Sequence, residues 1–247
     1  MSVAGTVWHQ LFETAALMLG VRYYGRQRAY AQAPGVLAQG GFAIAAGCLA
    51  GAALGNKAAF WLQVPALFAA HRHEPLTLLL GGQSIVGGLI GGWLGVEIAK
   101  KLTHQHRSTG DRFVFPLLLG IAIGRIGCHI AGLADDTYGL PTTLPWGMNF
   151  GDGLRRHPTA LYEILYCGLL ALLLKRLRPR LASRPGLLFK LFFCAYLGWR
   201  LLIDGLKPVP HAYALGLSGL QWLCLAALAI QLPLGVRQWR APAPVTA

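Results

Sequence analysis

The chain has 247 residues, of which 55% are hydrophobic and only 13% charged, and its mean hydropathy is +0.49. Soluble domains usually carry about 25% charged residues, so this composition excludes an ordinary soluble domain and predicts one integral-membrane domain over 1–247. The net charge of +13 does not indicate nucleic-acid binding, because the basic residues are concentrated between apolar stretches.

Apolar stretches of membrane-spanning length follow one another along the chain. The pattern predicts seven spans, near 6–24, 36–55, 77–99, 113–133, 158–175, 186–206 and 216–236. A shorter apolar piece, 58–70, contains Pro65 and is predicted to be re-entrant or interfacial. We therefore expect an all-α integral membrane protein, a bundle of about seven transmembrane helices.

Most of the 22 lysines and arginines follow the first, third, fifth and seventh predicted spans. With seven spans these positions all lie on one side, and the positive-inside rule makes that side cytoplasmic. The N-terminus is then outside, the C-terminus is cytoplasmic, and the loop 133–157 is outside. The basic excess predicts contact with anionic membrane lipids, and we expect the protein in the bacterial cytoplasmic (inner) membrane.

The five cysteines all lie in apolar stretches, and the sequence contains no CxxC pair. A free cysteine packs as a small apolar residue, so we expect these side chains in the core. No spacing of histidines, cysteines and carboxylates is typical of a zinc site. We therefore expect neither a metal ion nor a cofactor.

Charged side chains occur near the outer ends of three predicted spans. Arg125 is followed by His129 four residues later, Arg200 by Asp204 at the same spacing, and Glu163 lies one turn into the fifth span. Residues four apart share a helix face, and a charge at membrane depth is costly enough to suggest a function. Two converging arginines would suit an anionic headgroup, because guanidinium binds phosphate through two hydrogen bonds. The alternative is structural: a helix-end ion pair, with Arg125 extending to the interface.

The motifs around these residues resemble those of the prolipoprotein diacylglyceryl transferase family. The matching segments are GRIGC at 124–128, YGLPTTLPWGMNF at 138–150, RHPTALYEILY at 156–166, VRYYG at 21–25, the glycine-rich stretch 81–101 and AYLGWRLLIDGLKP at 195–208. They occur in the order found in the family and span most of the chain.

The resemblance implies a reaction in which the diacylglyceryl group of phosphatidylglycerol moves to the lipobox cysteine thiol of a prolipoprotein, releasing glycerol phosphate. It implies phosphatidylglycerol and prolipoprotein signal peptides as partners. Arg125 and Arg200 would bind the lipid phosphate and stabilise its developing charge. The residues implied in substrate binding are Tyr24, Gly87, Gly88, Gly124, Gly127, Tyr138, His157, Tyr162, Glu163 and Asp204.

This sequence departs from the family pattern at several polar positions. The histidine of the family's HGG motif is Val86 here, and the asparagine of its GNF motif is Cys128. We hypothesise that His129 replaces the missing base, since histidine titrates near neutral pH, and that Asp135 or Asp136 replaces a missing acid. Alternatively, His129 is hydrogen-bonded within the bundle.

These departures leave two other functions open. One is a divergent paralogue that binds phospholipid and transfers the diacylglyceryl group to a different acceptor. The other is a non-catalytic lipid-binding membrane protein or small transporter, although we find no pair of broken helices in matching halves of the sequence.

Overall fold

The computed structural model describes residues 3–30, 41–135, 137–208 and 211–241. These residues form nine α-helices and one two-stranded antiparallel hairpin. The elements are α1 (Val3–Tyr30), α2 (Gly41–Gln63), α3 (Pro65–Ala70), α4 (Pro75–Leu80), α5 (Ile85–Leu102), α6 (Val114–Ala131), β1 (Met148–Asn149), β2 (Arg155–Arg156), α7 (Thr159–Leu181), α8 (Leu187–Ile203) and α9 (Gly219–Arg240).

Three helical segments are long and apolar enough to cross a membrane: Gly41–Gln63, Gly110–Ala131 and Gly219–Arg240. The second joins the 3-10 turn Gly110–Phe113 to α6. Among the other long helices, α8 has only 17 residues, and the 18 residues of α5 include one glutamate and two lysines. The described part of the chain is thus that of an all-α membrane protein, and the small hairpin is the one departure from the predicted class within it.

The prediction for 58–70 is wrong in its first half. Residues 58–63 continue α2, and the helix ends only at Gln63. Pro65 then occupies the first position of α3, where a missing N–H is harmless. The first residues of the predicted span 36–55 lie outside the described residues.

The predicted span 77–99 is also wrong, because the structure divides it into α4 and α5. The chain leaves helical geometry after Leu80, and Ser84 caps the N-terminus of α5 by accepting from the Gly87 N–H. Lys57 of α2 donates to the Gly81 and Gly82 carbonyls at 2.7 and 2.9 Å. These bonds satisfy backbone groups that a helix break would otherwise leave without partners.

Glycines bring α2 and α5 into backbone contact. A Cβ atom added at any of six positions would overlap the facing helix, the facing pairs being Gly47 with Gly95, Gly51 with Gly91 and Gly55 with Gly87. Close approach through small residues is typical of helix pairs in membranes. Gly87, predicted to bind substrate, therefore serves this packing.

The core is centred on α8, which contacts α6, α7 and α9. Its side chains Phe192, Phe193, Tyr196 and Leu197 are fully buried. After Ile203 the chain continues as the 3-10 turn Asp204–Leu206. The end of α8, the end of α6 and the beginning of α7 thereby meet at one end of the bundle.

Candidate anion-binding site

A buried carboxylate joins two arginines at this end of the bundle. Arg125 lies in the last two turns of α6, Glu163 near the beginning of α7, and Arg200 in the last turn of α8. Arg125 Nε is 2.8 Å from Glu163 Oε2, and Arg200 Nη1 is 3.7 Å from Glu163 Oε1. All three side chains are buried, Glu163 completely. The structure thus brings together the three charged residues that the sequence suggested.

A second carboxylate extends the cluster along the chain that leaves α8. Arg200 Nη2 donates to Asp204 Oδ1 at 2.8 Å, the pair expected from their four-residue spacing. Lys207 Nζ lies 3.7 Å from the same Asp204 oxygen. The sequence motifs did not single out Lys207, and the structure adds it to the cluster.

The charges of the cluster do not balance. Within the described residues its members are three cations, Arg125, Arg200 and Lys207, and two carboxylates, Glu163 and Asp204. The two carboxylates match the two arginines, and the excess positive charge comes from Lys207. Burial and repulsion from Arg200 and Arg125 lower the pKa of Lys207 to about 8. Because an uncompensated buried charge is costly, the arrangement favours an anion.

Sequence reasoning missed Tyr196, which completes the surroundings of Glu163. The Tyr196 hydroxyl donates to Glu163 Oε1 at 2.6 Å, and the side chain is fully buried. Tyr196 precedes Arg200 by four residues, so the helical spacing that joined Arg200 to Asp204 also indicated it.

His129 lies one turn beyond Arg125, beside the loop 133–157 that was predicted to be outside. Its ring meets Phe150 edge-on, with centroids 5.8 Å apart, and it lines a small cavity with Cys128, Tyr138 and Thr159. Within the described residues, the buried Nδ1 of His129 has no hydrogen-bond partner. The side chain of Asp135 and the whole of Asp136 lie outside the described residues.

The predicted residues Tyr138, His157 and Tyr162 make contacts within the loop 133–157 and between this loop and the beginning of α7. Trp146 Nε1 donates to the Tyr162 hydroxyl at 2.8 Å, and that hydroxyl lies 3.2 Å from His157 Nδ1. The guanidinium of Arg156 lies over the Tyr138 ring, 4.8 Å from its centroid. These contacts fix the loop on the beginning of α7, next to Glu163.

Tyr24 lies far from this cluster. Its ring stacks on Phe113 with centroids 4.7 Å apart, and Phe113 immediately precedes α6. Arg125 follows twelve residues later, which is about 18 Å along a helix at about 1.5 Å per residue. The resemblance implies a substrate-binding role for Tyr24, but binding of a headgroup held by the two arginines does not fit this position.

The predicted glycines have different surroundings. A Cβ at Gly88 would make ordinary contact with Ala52 and Asn56 of α2 at 3.9 Å, whereas a Cβ at Gly124 would meet nothing within 4 Å. Gly127 is buried in α6. Val86, at the position of the family histidine, is completely buried in the core.

Comparison with known proteins supports the resemblance noted above. A family model described as prolipoprotein diacylglyceryl transferase matches residues 5–236. A phosphatidylglycerol–prolipoprotein diacylglyceryl transferase of Bordetella parapertussis is 35% identical over 189 residues, covering 71% of this chain and 69% of the relative. One of Cupriavidus metallidurans is 30% identical over 188 residues, covering 73% and 68%. One of Coxiella burnetii is 42% identical over 120 residues, covering 44% and 45%.

Proposed function

The chain belongs to the prolipoprotein diacylglyceryl transferase family, and we propose that it transfers the diacylglyceryl group of phosphatidylglycerol to the lipobox cysteine thiol of prolipoproteins. The observation that carries the proposal is the buried cluster of Arg125, Glu163 and Arg200, formed by the family's motifs. Arg200 Nε is buried without a hydrogen-bond partner among the described residues, so a donor is free for a phosphate oxygen.

The reaction exchanges a carbon–oxygen bond for a carbon–sulfur bond. The acceptor thiol loses its proton, because the thiolate is the nucleophile. The sulfur attacks the glyceryl carbon that carries the phosphate ester, and the electron pair of the breaking bond leaves with glycerol phosphate. The leaving phosphate gains negative charge, which Arg125 and Arg200 would stabilise through hydrogen bonds.

His129 is the proton acceptor in this proposal. It lies one turn beyond Arg125, and its buried Nδ1 has no hydrogen-bond partner among the described residues. Imidazole titrates near neutral pH, which suits a general base.

We propose that the outer loop contacts the acceptor and that the lipid lies beside the open glycine, Gly124. Tyr138, His157 and Tyr162 belong to the contacts that hold this loop beside Glu163. Gly124 leaves space beside α6 that a lipid chain can occupy. Gly127 is buried in α6 two residues after Arg125, and we propose that it contributes to the same substrate site.

We further propose seven spans within a single domain, namely α1, α2 and α5–α9, in the cytoplasmic membrane. The basic residues in and just after the C-terminal turns of α1, α5, α7 and α9 support an outer N-terminus and a cytoplasmic C-terminus. This orientation puts the charged cluster at the outer end of the bundle. A different acceptor is the second candidate, favoured by buried Val86 at the position of the family histidine.

The test is to incubate the purified protein with phosphatidylglycerol and a lipobox peptide, and to follow peptide mass and glycerol phosphate together. A diacylglyceryl mass gain matched by glycerol phosphate release is expected, and none with a peptide whose cysteine is replaced by serine. Arg125→Ala and Arg200→Ala should abolish transfer, while Arg176→Ala, at an exposed position in the C-terminal part of α7, serves as the control. Glycerol phosphate release without peptide modification would instead support another acceptor.

A further inference from the structure

Lys207 carries the positive charge that the two carboxylates of the cluster do not neutralise. Its Nζ is 3.7 Å from Asp204 Oδ1, which already accepts a shorter bond of 2.8 Å from Arg200 Nη2. The Lys207 side chain exposes only 14% of its surface. The ammonium group is therefore largely removed from water, and Asp204, the one acid close to it among the described residues, is shared with a better-placed arginine.

Charged groups from four elements act on Lys207. Arg125 of α6 and Arg200 of α8 repel its ammonium form, while Glu163 of α7 and Asp204 of the 3-10 turn attract it. Burial and the two arginines prevail, and they lower the pKa of Lys207 to about 8. Near pH 8 the site thus exchanges between a state with one excess positive charge and a neutral one.

We propose that Lys207 is the third phosphate-binding cation of this site and that binding of an anionic lipid headgroup is coupled to its protonation. An anion between the arginines replaces net repulsion at Lys207 with attraction, which favours the ammonium form. Because coupling is reciprocal, the protonated protein must bind the anion more tightly. The ligand is a phosphate diester, and its identification as phosphatidylglycerol rests on the proposed function.

An arginine at this position would behave differently. Arginine stays charged throughout the accessible pH range, so Lys207→Arg keeps the third cation and removes its titration. Lys207→Met keeps the length of the side chain and removes the cation. A residue that only held the loop against Asp204 would not produce different pH profiles in these two variants.

The experiment measures equilibrium binding of phosphatidylglycerol in detergent micelles between pH 6.5 and 9.5. The acceptor peptide is left out, because a cysteine thiol titrates in the same range, near about 8.5. The lipid phosphate does not titrate there. Neutral diacylglycerol in the same micelles measures binding that does not depend on the headgroup.

For the unaltered protein, we expect affinity at pH 9.5 to be about tenfold lower than at pH 7. Lys207→Arg should bind equally well at both pH values, and Lys207→Met weakly at both. Lys100→Arg is the matched control, because Lys100 also exposes 14% of its side chain and pairs with the acid three residues earlier, Glu97, at 3.1 Å. It should follow the unaltered protein.

Parallel pH profiles for the unaltered protein and Lys207→Arg would overturn the proposal, as would equal binding of phosphatidylglycerol and diacylglycerol. Failure of the proposed function has a separate signature, namely the absence of a mass gain on the lipobox peptide. Headgroup binding with a Lys207-dependent pH profile, but without transfer, would support this inference and contradict the proposed transferase activity.

Discussion

Two arginine–carboxylate pairs at the same end of the molecule have nearly equal distances and different surroundings. Arg125 Nε lies 2.8 Å from Glu163 Oε2 with side chains 6% and 0% exposed, and Arg156 Nη2 lies 2.7 Å from Asp152 Oδ2 with side chains 14% and 23% exposed. An ion pair with access to water contributes little to the free energy of unfolding, because solvent screens the interaction. Breaking a buried pair leaves a charge without compensation. Burial, rather than distance, therefore separates a site from a surface contact here.

The largest expected effect is that of Glu163→Gln. The amide keeps the volume of the side chain but leaves Arg125 and Arg200 facing each other without the shared carboxylate. Removing one partner of a buried pair costs about 3–5 kcal/mol, and we expect transfer to fall by about 100-fold or more. Thermal unfolding in detergent and the peptide mass assay measure the two effects, with Asp152→Asn as the matched control. Near-normal stability and transfer would show that Glu163 does not hold the arginines.

The second-largest loss of transfer is expected for His129→Ala, which distinguishes an effect on the reaction rate from an effect on lipid binding. If His129 accepts the thiol proton, the rate at saturating substrate falls by about 100-fold, while phosphatidylglycerol binding is unchanged because the arginines remain. An unchanged transfer rate in the purified protein would assign His129 a packing role beside Phe150.

Tyr196→Phe should have an intermediate effect. It removes the hydroxyl that donates to Glu163 at 2.6 Å and leaves the buried ring in place. A hydrogen bond to a charged group is worth about 1.5–3 kcal/mol, so we expect lower thermal stability and a transfer rate reduced by about tenfold. A variant equal to the unaltered protein would mean that the two arginines alone orient Glu163.

The parts of the cluster that the sequence predicted are those fixed by helical spacing. Arg200 and Asp204 lie four apart, and the charged residues near the outer ends of three spans were expected at similar depth. Tyr196 has the same spacing, but it lies within an apolar segment and was not recognised as a site residue. Lys207 follows the helix, and its place depends on how the chain turns after Ile203, which spacing does not determine.

The predictions that failed concern features that depend on contact with a second segment of the chain. The break before α5 depends on Lys57 of α2 binding the Gly81 and Gly82 carbonyls, and the hydropathy of 77–99 carries no sign of that partner. Tyr24 was assigned from a short local motif, whereas its position depends on how α1 lies against α6. Local patterns predicted the helices and the residues that share a helix face. Contacts between segments determine where a helix breaks and which residues meet.

The smallest expected effect is that of Asp152→Asn. The Arg156 guanidinium is the main cause that holds the pKa of Asp152 below its usual 3.8. A carboxyl whose pKa is lowered by folding contributes its stabilisation above the usual pKa and loses it as pH falls through the lowered value. From pH 7 to 5 the contribution is therefore constant, and solvent screening keeps it small. We expect the unfolding temperatures of the variant and the unaltered protein to agree throughout this range, with equal transfer rates. A loss comparable with that of Glu163→Gln would mean that burial does not separate the two pairs.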